Sequence, residues 1–122
     1  MLYETISGVY SLIVGISILI FWLVLIILKK TNECIEKPFE RTFHILAEII
    51  TALFAIVGGI AILTEQIWRF HYFFFAMGFV IYAITNAIGI YGQKKFWILV
   101  SFLMIALVTT ASIVISTIIK IN

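Results

Sequence analysis

The chain consists of long apolar stretches separated by short polar segments. Four apolar stretches cover residues 5–28, 43–63, 71–91 and 96–119. Each has about 20 residues or slightly more, which is the length of helix needed to cross roughly 30 Å of hydrocarbon. Strands of a membrane barrel have about ten residues of alternating polarity, and none of these stretches alternates in that way. The pattern predicts four transmembrane helices.

The polar segments between these stretches are short. The longest, KKTNECIEKPFER at residues 29–41, contains the only proline, Pro38. Proline fits the beginning of a helix because its missing N–H has no partner there in any case. The other two connections are TEQIWRF and GQKK. Short connections make consecutive helices antiparallel neighbours, so we predict a single all-α domain over residues 1–122, a four-helix transmembrane bundle with up-down-up-down topology.

Composition supports a membrane environment. Hydrophobic residues make up 64% of the chain and charged residues 11%, whereas a soluble domain is about half apolar and about a quarter charged. The formal net charge of +2 is small, and there is no basic run of the kind that binds phosphates. We therefore expect the lipid bilayer as a partner, together with other membrane subunits or further copies of the chain. Nucleic acid is excluded, and so is a soluble enzyme.

The basic residues predict an orientation. Six of the eight lysines and arginines lie in the connections 29–42 and 92–95, and only Arg69 and Lys120 lie on the other side. Cytoplasmic connections carry the excess of lysine and arginine. We predict that both connections face the cytoplasm and both termini face outward. The first apolar stretch follows a leader without lysine or arginine and is longer than the apolar core of a signal peptide, so we expect it to remain as a helix.

Three ionisable residues follow one another on one face of the second predicted helix. Arg41, His44 and Glu48 are spaced by three and four residues, which places them on one stripe of a helix. An intramembrane carboxyl costs a few kcal/mol to insert and normally faces a partner or a cavity. Glu48 is therefore the first candidate for a functional residue.

Other polar residues are expected at a similar depth. Asn86 precedes Lys94 by eight residues, and Ser101 follows Lys95 by six. Tyr82 lies one helical turn before Asn86, and a phenol in a membrane needs a hydrogen-bonding partner. We expect Asn86, Ser101 and Tyr82 to converge with Glu48 in one polar layer, where the Asn86 amide would donate to the carboxylate. This layer is either a structural link between helices or a proton- or cation-responsive site with His44 as relay.

Small residues predict where the helices touch. Ser7, Ser11 and Gly15 recur every four residues in the first helix, and Ala47, Thr51, Ala55 and Gly59 do so in the second. Small side chains let helix backbones approach closely within a membrane. We therefore expect the second helix, which also carries His44 and Glu48, to lie at the centre of the packing.

The sequence predicts no cofactor and no metal. The single cysteine, Cys34, is expected to be a reduced thiol in a connection, and there is no CxxC or His/Cys cluster. His44 and His71 are predicted at opposite ends of their helices, roughly 25–30 Å apart, so one haem cannot bridge them. His71 is expected at the membrane interface beside Trp68.

Two functions remain for such a chain, and the sequence favours one of them. The favoured function is an interaction or accessory protein, a bundle that packs on itself or on a larger membrane complex. The alternative is a homo-oligomeric, proton-coupled small transporter or channel that uses Glu48 as an intramembrane proton carrier. Catalytic signatures of hydrolases, kinases and metalloproteases are absent from the sequence, so we lean against an enzyme.

Overall fold

The computed structural model describes residues 2–29 and 37–121, and within this part of the chain the structure is helical without strands. The four helices are α1 (Leu2–Ile27), α2 (Pro38–Leu63), α3 (Arg69–Gln93) and α4 (Trp97–Ile121). The prediction of an all-α, four-helix fold is confirmed. Each helix is long and apolar enough to cross a membrane, by length and composition. Residues 30–36, which include Cys34, lie outside the described residues.

Helix α2 begins five residues before the predicted start, at Pro38 rather than at residue 43. Lys37 has an extended backbone and Pro38 occupies the first turn, where proline needs no N–H partner. The hydroxyl of Thr42 donates to the Pro38 carbonyl at 3.0 Å. The hydropathy pattern did not include this turn because its side chains are partly polar, whereas the backbone hydrogen bonds of a helix do not depend on side-chain polarity. The other helix limits lie within three residues of the predicted ones.

Two tight turns join the later helices, and each contains a residue with a positive φ. Glu65 has φ 57° and Lys95 has φ 59°. The following amide donates back into the helix in both turns, from Gln66 to Ala61 at 3.0 Å and from Phe96 to Tyr91 at 3.1 Å. This is the bonding pattern of a helix terminated by a left-handed residue, although neither position is glycine.

The helices are arranged in a ring in chain order, and neighbours run antiparallel. The interface between α1 and α2 is the most extensive, and the one between α1 and α4 is the smallest. The beginning of α1, the end of α4 and the α2–α3 turn lie at one end of the bundle, which we call the terminal end. The end of α1, the beginning of α2 and the α3–α4 turn lie at the other end, which we call the loop end.

Glycines allow α1 and α2 to approach closely. A methyl group added to Gly59 would lie 2.7 Å from the Gly8 carbonyl oxygen, and one added to Gly15 would lie 2.7 Å from the Ala52 carbonyl oxygen. The Ser11 hydroxyl donates across the interface to the Ala55 carbonyl at 2.5 Å. The predicted stripe of small residues in α1 is buried throughout, and that in α2 is buried except for Ala47. As expected, α2 is the most buried of the four helices.

Helix α4 is joined to α1 by hydroxyl contacts at the terminal end. Among its described residues only Thr110 and Thr117 are buried. The hydroxyl of Thr117 lies 2.7 Å from that of Ser7, and Thr110 hydrogen bonds to the Tyr10 hydroxyl. These contacts link α1 and α4 in the terminal half of their interface.

The buried apolar residues form two clusters. The larger lies towards the terminal end and includes Ala55, Phe73 and Met77. The smaller lies towards the loop end and consists of Trp22, Ala87 and Tyr91, with partly buried neighbours from all four helices. Polar side chains of α2 and α3 adjoin the smaller cluster, which therefore frames the candidate site.

Candidate functional site

The centre of the site is the His44–Glu48 pair, on consecutive turns of α2. The Nε2 atom of His44 lies 2.5 Å from the Oε2 atom of Glu48, and the two side chains are only 8% and 13% exposed. The spacing of four residues places the two groups on one face of the helix, as the sequence predicted. The direction between these atoms departs from that of a good hydrogen bond, so we describe the pair as a close polar contact on the strength of its distance.

Asn86 of α3 completes the group from the opposite side of the imidazole. Its Nδ2 atom lies 3.5 Å from Nδ1 of His44, a long contact for a hydrogen bond. With the amide as donor, Nδ1 accepts, and the ring is the neutral tautomer that carries its proton on Nε2, towards Glu48. Asn86 was predicted to donate to the carboxylate, whereas in the structure its amide contacts the imidazole.

Trp22 of α1 packs against the same imidazole. The ring centroids of Trp22 and His44 are 5.7 Å apart at an interplanar angle of 73°, an edge-to-face arrangement favoured by the ring quadrupoles. Trp22 is 1% exposed, and its Nε1 atom has no hydrogen-bonding partner among the described residues. Three helices therefore hold His44: its own helix α2, α1 through Trp22, and α3 through Asn86.

The other predicted members of the polar layer lie elsewhere. Tyr82 is 73% exposed, because it lies two residues from both Val80 and Ile84 on the buried stripe of α3, which turns its side chain outward. Ser101 is likewise exposed on α4. Arg41 lies one turn before His44 and is half-buried, at the loop end of the stripe. Thus Glu48, His44 and Asn86 are brought together, and Tyr82 and Ser101 are not.

A cavity of about 450 Å³ lies beside Glu48 and was not predicted from the sequence. Its walls come from α1 and α4, its floor comes from α3, and Glu48 is the residue that α2 contributes. This volume is within the range of sites that hold small organic molecules. The Glu48 carboxyl therefore contacts His44 and also borders an empty space between helices.

The cavity opens sideways between α1 and α4. Residues on its rim, including Ile13, Ser17, Phe102 and Ile105, are exposed on the flank of the bundle. Towards the terminal end the opening is limited by the hydroxyl contact of Tyr10 with Thr110. The cavity is therefore open on the flank of the bundle, between the two helices.

The cavity wall is apolar apart from one carboxyl and a few hydroxyls. Among the described residues that line it, Glu48 is the only acidic one, and none is a lysine, arginine or histidine. The hydroxyls belong to Tyr10, Ser17, Tyr91 and Thr109. Within the described residues no group of three or more His, Cys, Asp or Glu side chains is placed to hold a metal ion.

Fold and site together define a class: an all-α bundle of four helices, each able by length and composition to cross a membrane, with a carboxyl–imidazole–amide group beside a lateral cavity. A family model described as a domain of unknown function, DUF8058, matches residues 1–122, and the chain belongs to that family. No curated protein and no solved structure matches the chain.

Proposed function

We propose that the chain is a multi-pass integral membrane protein with both termini outside and the connections 29–42 and 92–95 in the cytoplasm. Support for the membrane comes from the four long apolar helices. Support for the orientation comes from the antiparallel arrangement, which places both termini at one end, and from the six basic residues in the two connections at the other end.

Labelling of the single cysteine tests this orientation. Cys34 lies outside the described residues but within the first connection, so an impermeant maleimide should label it in broken cells and leave it unlabelled in intact cells. A variant with Cys34→Ser and a cysteine in place of Glu65, in the α2–α3 turn, should show the opposite behaviour. Labelling of Cys34 in intact cells contradicts the orientation.

Within the membrane, we propose that the chain acts as a proton-coupled small transporter or channel in which Glu48 is the proton-exchanging group. The observation that carries this proposal is the position of Glu48, which contacts His44 at 2.5 Å and also lines the cavity. A carboxyl used only to link helices has no need of a cavity. Ionisable groups that face a cavity at membrane depth typically mark proton or ion pathways.

The local chemistry suits proton exchange. In the neutral tautomer, His44 presents its Nε2–H to Glu48 while Nδ1 accepts from Asn86. When the imidazole takes up a second proton, Nδ1 becomes a donor. The Asn86 amide must then turn, so that Oδ1 accepts from Nδ1 in place of the Nδ2 donor. His44 lies between Glu48 and Arg41 along α2, and it therefore connects the cavity with the loop end of the bundle.

Infrared spectroscopy can test the role of Glu48 without knowledge of a substrate. In lipid nanodiscs, a pH-difference spectrum should contain a carboxylic-acid carbonyl band that is lost in Glu48→Gln. The matched control Glu65→Gln removes an exposed carboxyl from the α2–α3 turn and should leave that band in place. If the spectrum of Glu48→Gln equals that of the unmodified protein, Glu48 does not exchange protons and the proposal is wrong.

The second candidate is an accessory protein that packs on itself or on a larger membrane complex. This candidate is favoured by the contact of Tyr10 with Thr110, which bounds the cavity towards the terminal end. A cavity bounded at that end is better suited to binding a molecule than to letting one pass through the bundle. Native mass spectrometry after gentle extraction separates the candidates. Recovery with larger subunits supports the accessory function. Recovery as a homo-oligomer agrees with both candidates, and the infrared band of Glu48 then distinguishes them.

A further inference from the structure

We infer that the cavity between α1 and α4 binds a lipophilic amine, with its ammonium group on Glu48 and its apolar body along the cavity wall. This inference rests on the proposed function, since it names the ligand that would exchange with a proton on Glu48. The apolar body of the ligand is inferred from the lateral opening of the cavity. A ligand that enters between α1 and α4 must come from the apolar surroundings of the bundle, so most of its surface must be apolar.

The ammonium group of the ligand is inferred from the charges around the cavity. Within the described part of the chain, Glu48 is the one acidic residue of the cavity wall, and no basic residue lines it. Residues 5–28 and 96–119, which form nearly all of α1 and α4, contain no charged residue. The titratable groups that contact Glu48 or share the cavity with it are His44 on its own helix and the phenols of Tyr10 on α1 and Tyr91 on α3. An anionic head group would meet a carboxyl without a compensating cation, whereas an ammonium group forms a charge-assisted hydrogen bond with it.

The side chain of Glu48 is only 13% exposed. A buried carboxylate needs a cationic partner, and an ammonium group can supply it. The ammonium group and a proton therefore compete for one carboxylate, so each amine that binds to protonated Glu48 releases one proton to water.

Fluorescence of Trp22 offers a direct measure of binding. Trp22 packs in the same cluster as Phe21 and Leu99, which line the cavity. Replacing Trp68 and Trp97 with phenylalanine leaves Trp22 as the only tryptophan of the chain. We would titrate this protein, in nanodiscs of zwitterionic lipid, with dodecylamine, 1-dodecanol and dodecanoic acid, and subtract the signal of empty nanodiscs.

Dodecylamine should bind at least about tenfold more tightly than the alcohol or the acid, because only the amine pairs with the carboxylate in a low-dielectric site. Its affinity should fall as the pH is lowered, and binding in weakly buffered solution should release protons. Glu48→Gln should remove both the preference for the amine and the proton release. Glu65→Gln should retain both.

A second variant tests the cavity itself. Ser17→Phe places a large side chain at the exposed rim and should abolish dodecylamine binding while the pH-dependent infrared band of Glu48 persists. Equal binding of the three probes, with the infrared band of Glu48 intact, overturns the amine assignment and leaves the proposed function standing. If Glu48→Gln keeps both the infrared band and the preference for the amine, the amine assignment and the proposed function are both overturned.

Discussion

Replacing Gly59 with alanine should destabilise the bundle, because it forces apart the two helices that pack most closely. The new methyl carbon would lie 2.7 Å from the Gly8 carbonyl oxygen and 3.1 Å from the Leu12 amide nitrogen. Both neighbours are backbone atoms of α1, so they cannot move aside as a flexible side chain can. An ordinary contact begins at 3.4 Å, so α1 and α2 must separate by roughly 0.7 Å at this point.

Two opposing effects set the size of the change. Alanine is favoured over glycine inside a helix by about 1 kcal/mol, which stabilises the variant. Overpacking of a tight interface costs about 1–3 kcal/mol, and separation of the helices also weakens the hydrogen bond from Ser11 to Ala55, worth about 0.6 kcal/mol in a membrane protein. The net expectation is a loss of about 0.6–2.6 kcal/mol in the free energy of unfolding.

Gly89→Ala is the matched control. A methyl group at Gly89 meets no atom within 4 Å, so only the gain in helix propensity of about 1 kcal/mol or less remains. Both variants would be unfolded by increasing the fraction of sodium dodecyl sulfate in mixed micelles, with circular dichroism as the signal. If Gly59→Ala is as stable as Gly89→Ala, the close approach of α1 and α2 is refuted.

Three further substitutions, together with Tyr82→Phe as a control, test other parts of the bundle in the same unfolding assay. Tyr10→Phe should lower the free energy of unfolding by about 0.6 kcal/mol, because it removes the hydroxyl that bonds to Thr110. Tyr82→Phe, at an exposed position, should leave it unchanged. Equal effects of the two substitutions would contradict the α1–α4 contact. Glu65→Gly should stabilise by roughly 0.5–1 kcal/mol, because glycine adopts φ 57° without strain and the change removes a negative charge from the C-terminal end of α2. Lys95→Gly should stabilise the bundle less than Glu65→Gly, because it removes a favourable positive charge from the C-terminal end of α3. A larger stabilisation by Lys95→Gly would contradict this explanation.

The limits of sequence reasoning are clearest for Tyr82 and Ser101. Counting residues from a helix end gives the position of a side chain along the helix axis, since each residue adds 1.5 Å. It does not give the rotation of the helix about that axis, which depends on the neighbour that the helix packs against. Ser101 was placed in the polar layer by its depth alone, yet the rotation of α4 leaves it exposed. Tyr82 on α3 is likewise 73% exposed.

The sequence by itself determined the four apolar helices and their antiparallel order, because run length and connection length follow directly from the printed residues. It also determined the proximity of His44 and Glu48, because both lie on one helix and their spacing fixes the contact. Only the tertiary structure decided that Asn86 and Trp22 hold His44, and that α1 and α4 separate beside Glu48 to leave a cavity. These features depend on side chains from different helices, whose relative rotation and separation are set by packing across the whole bundle.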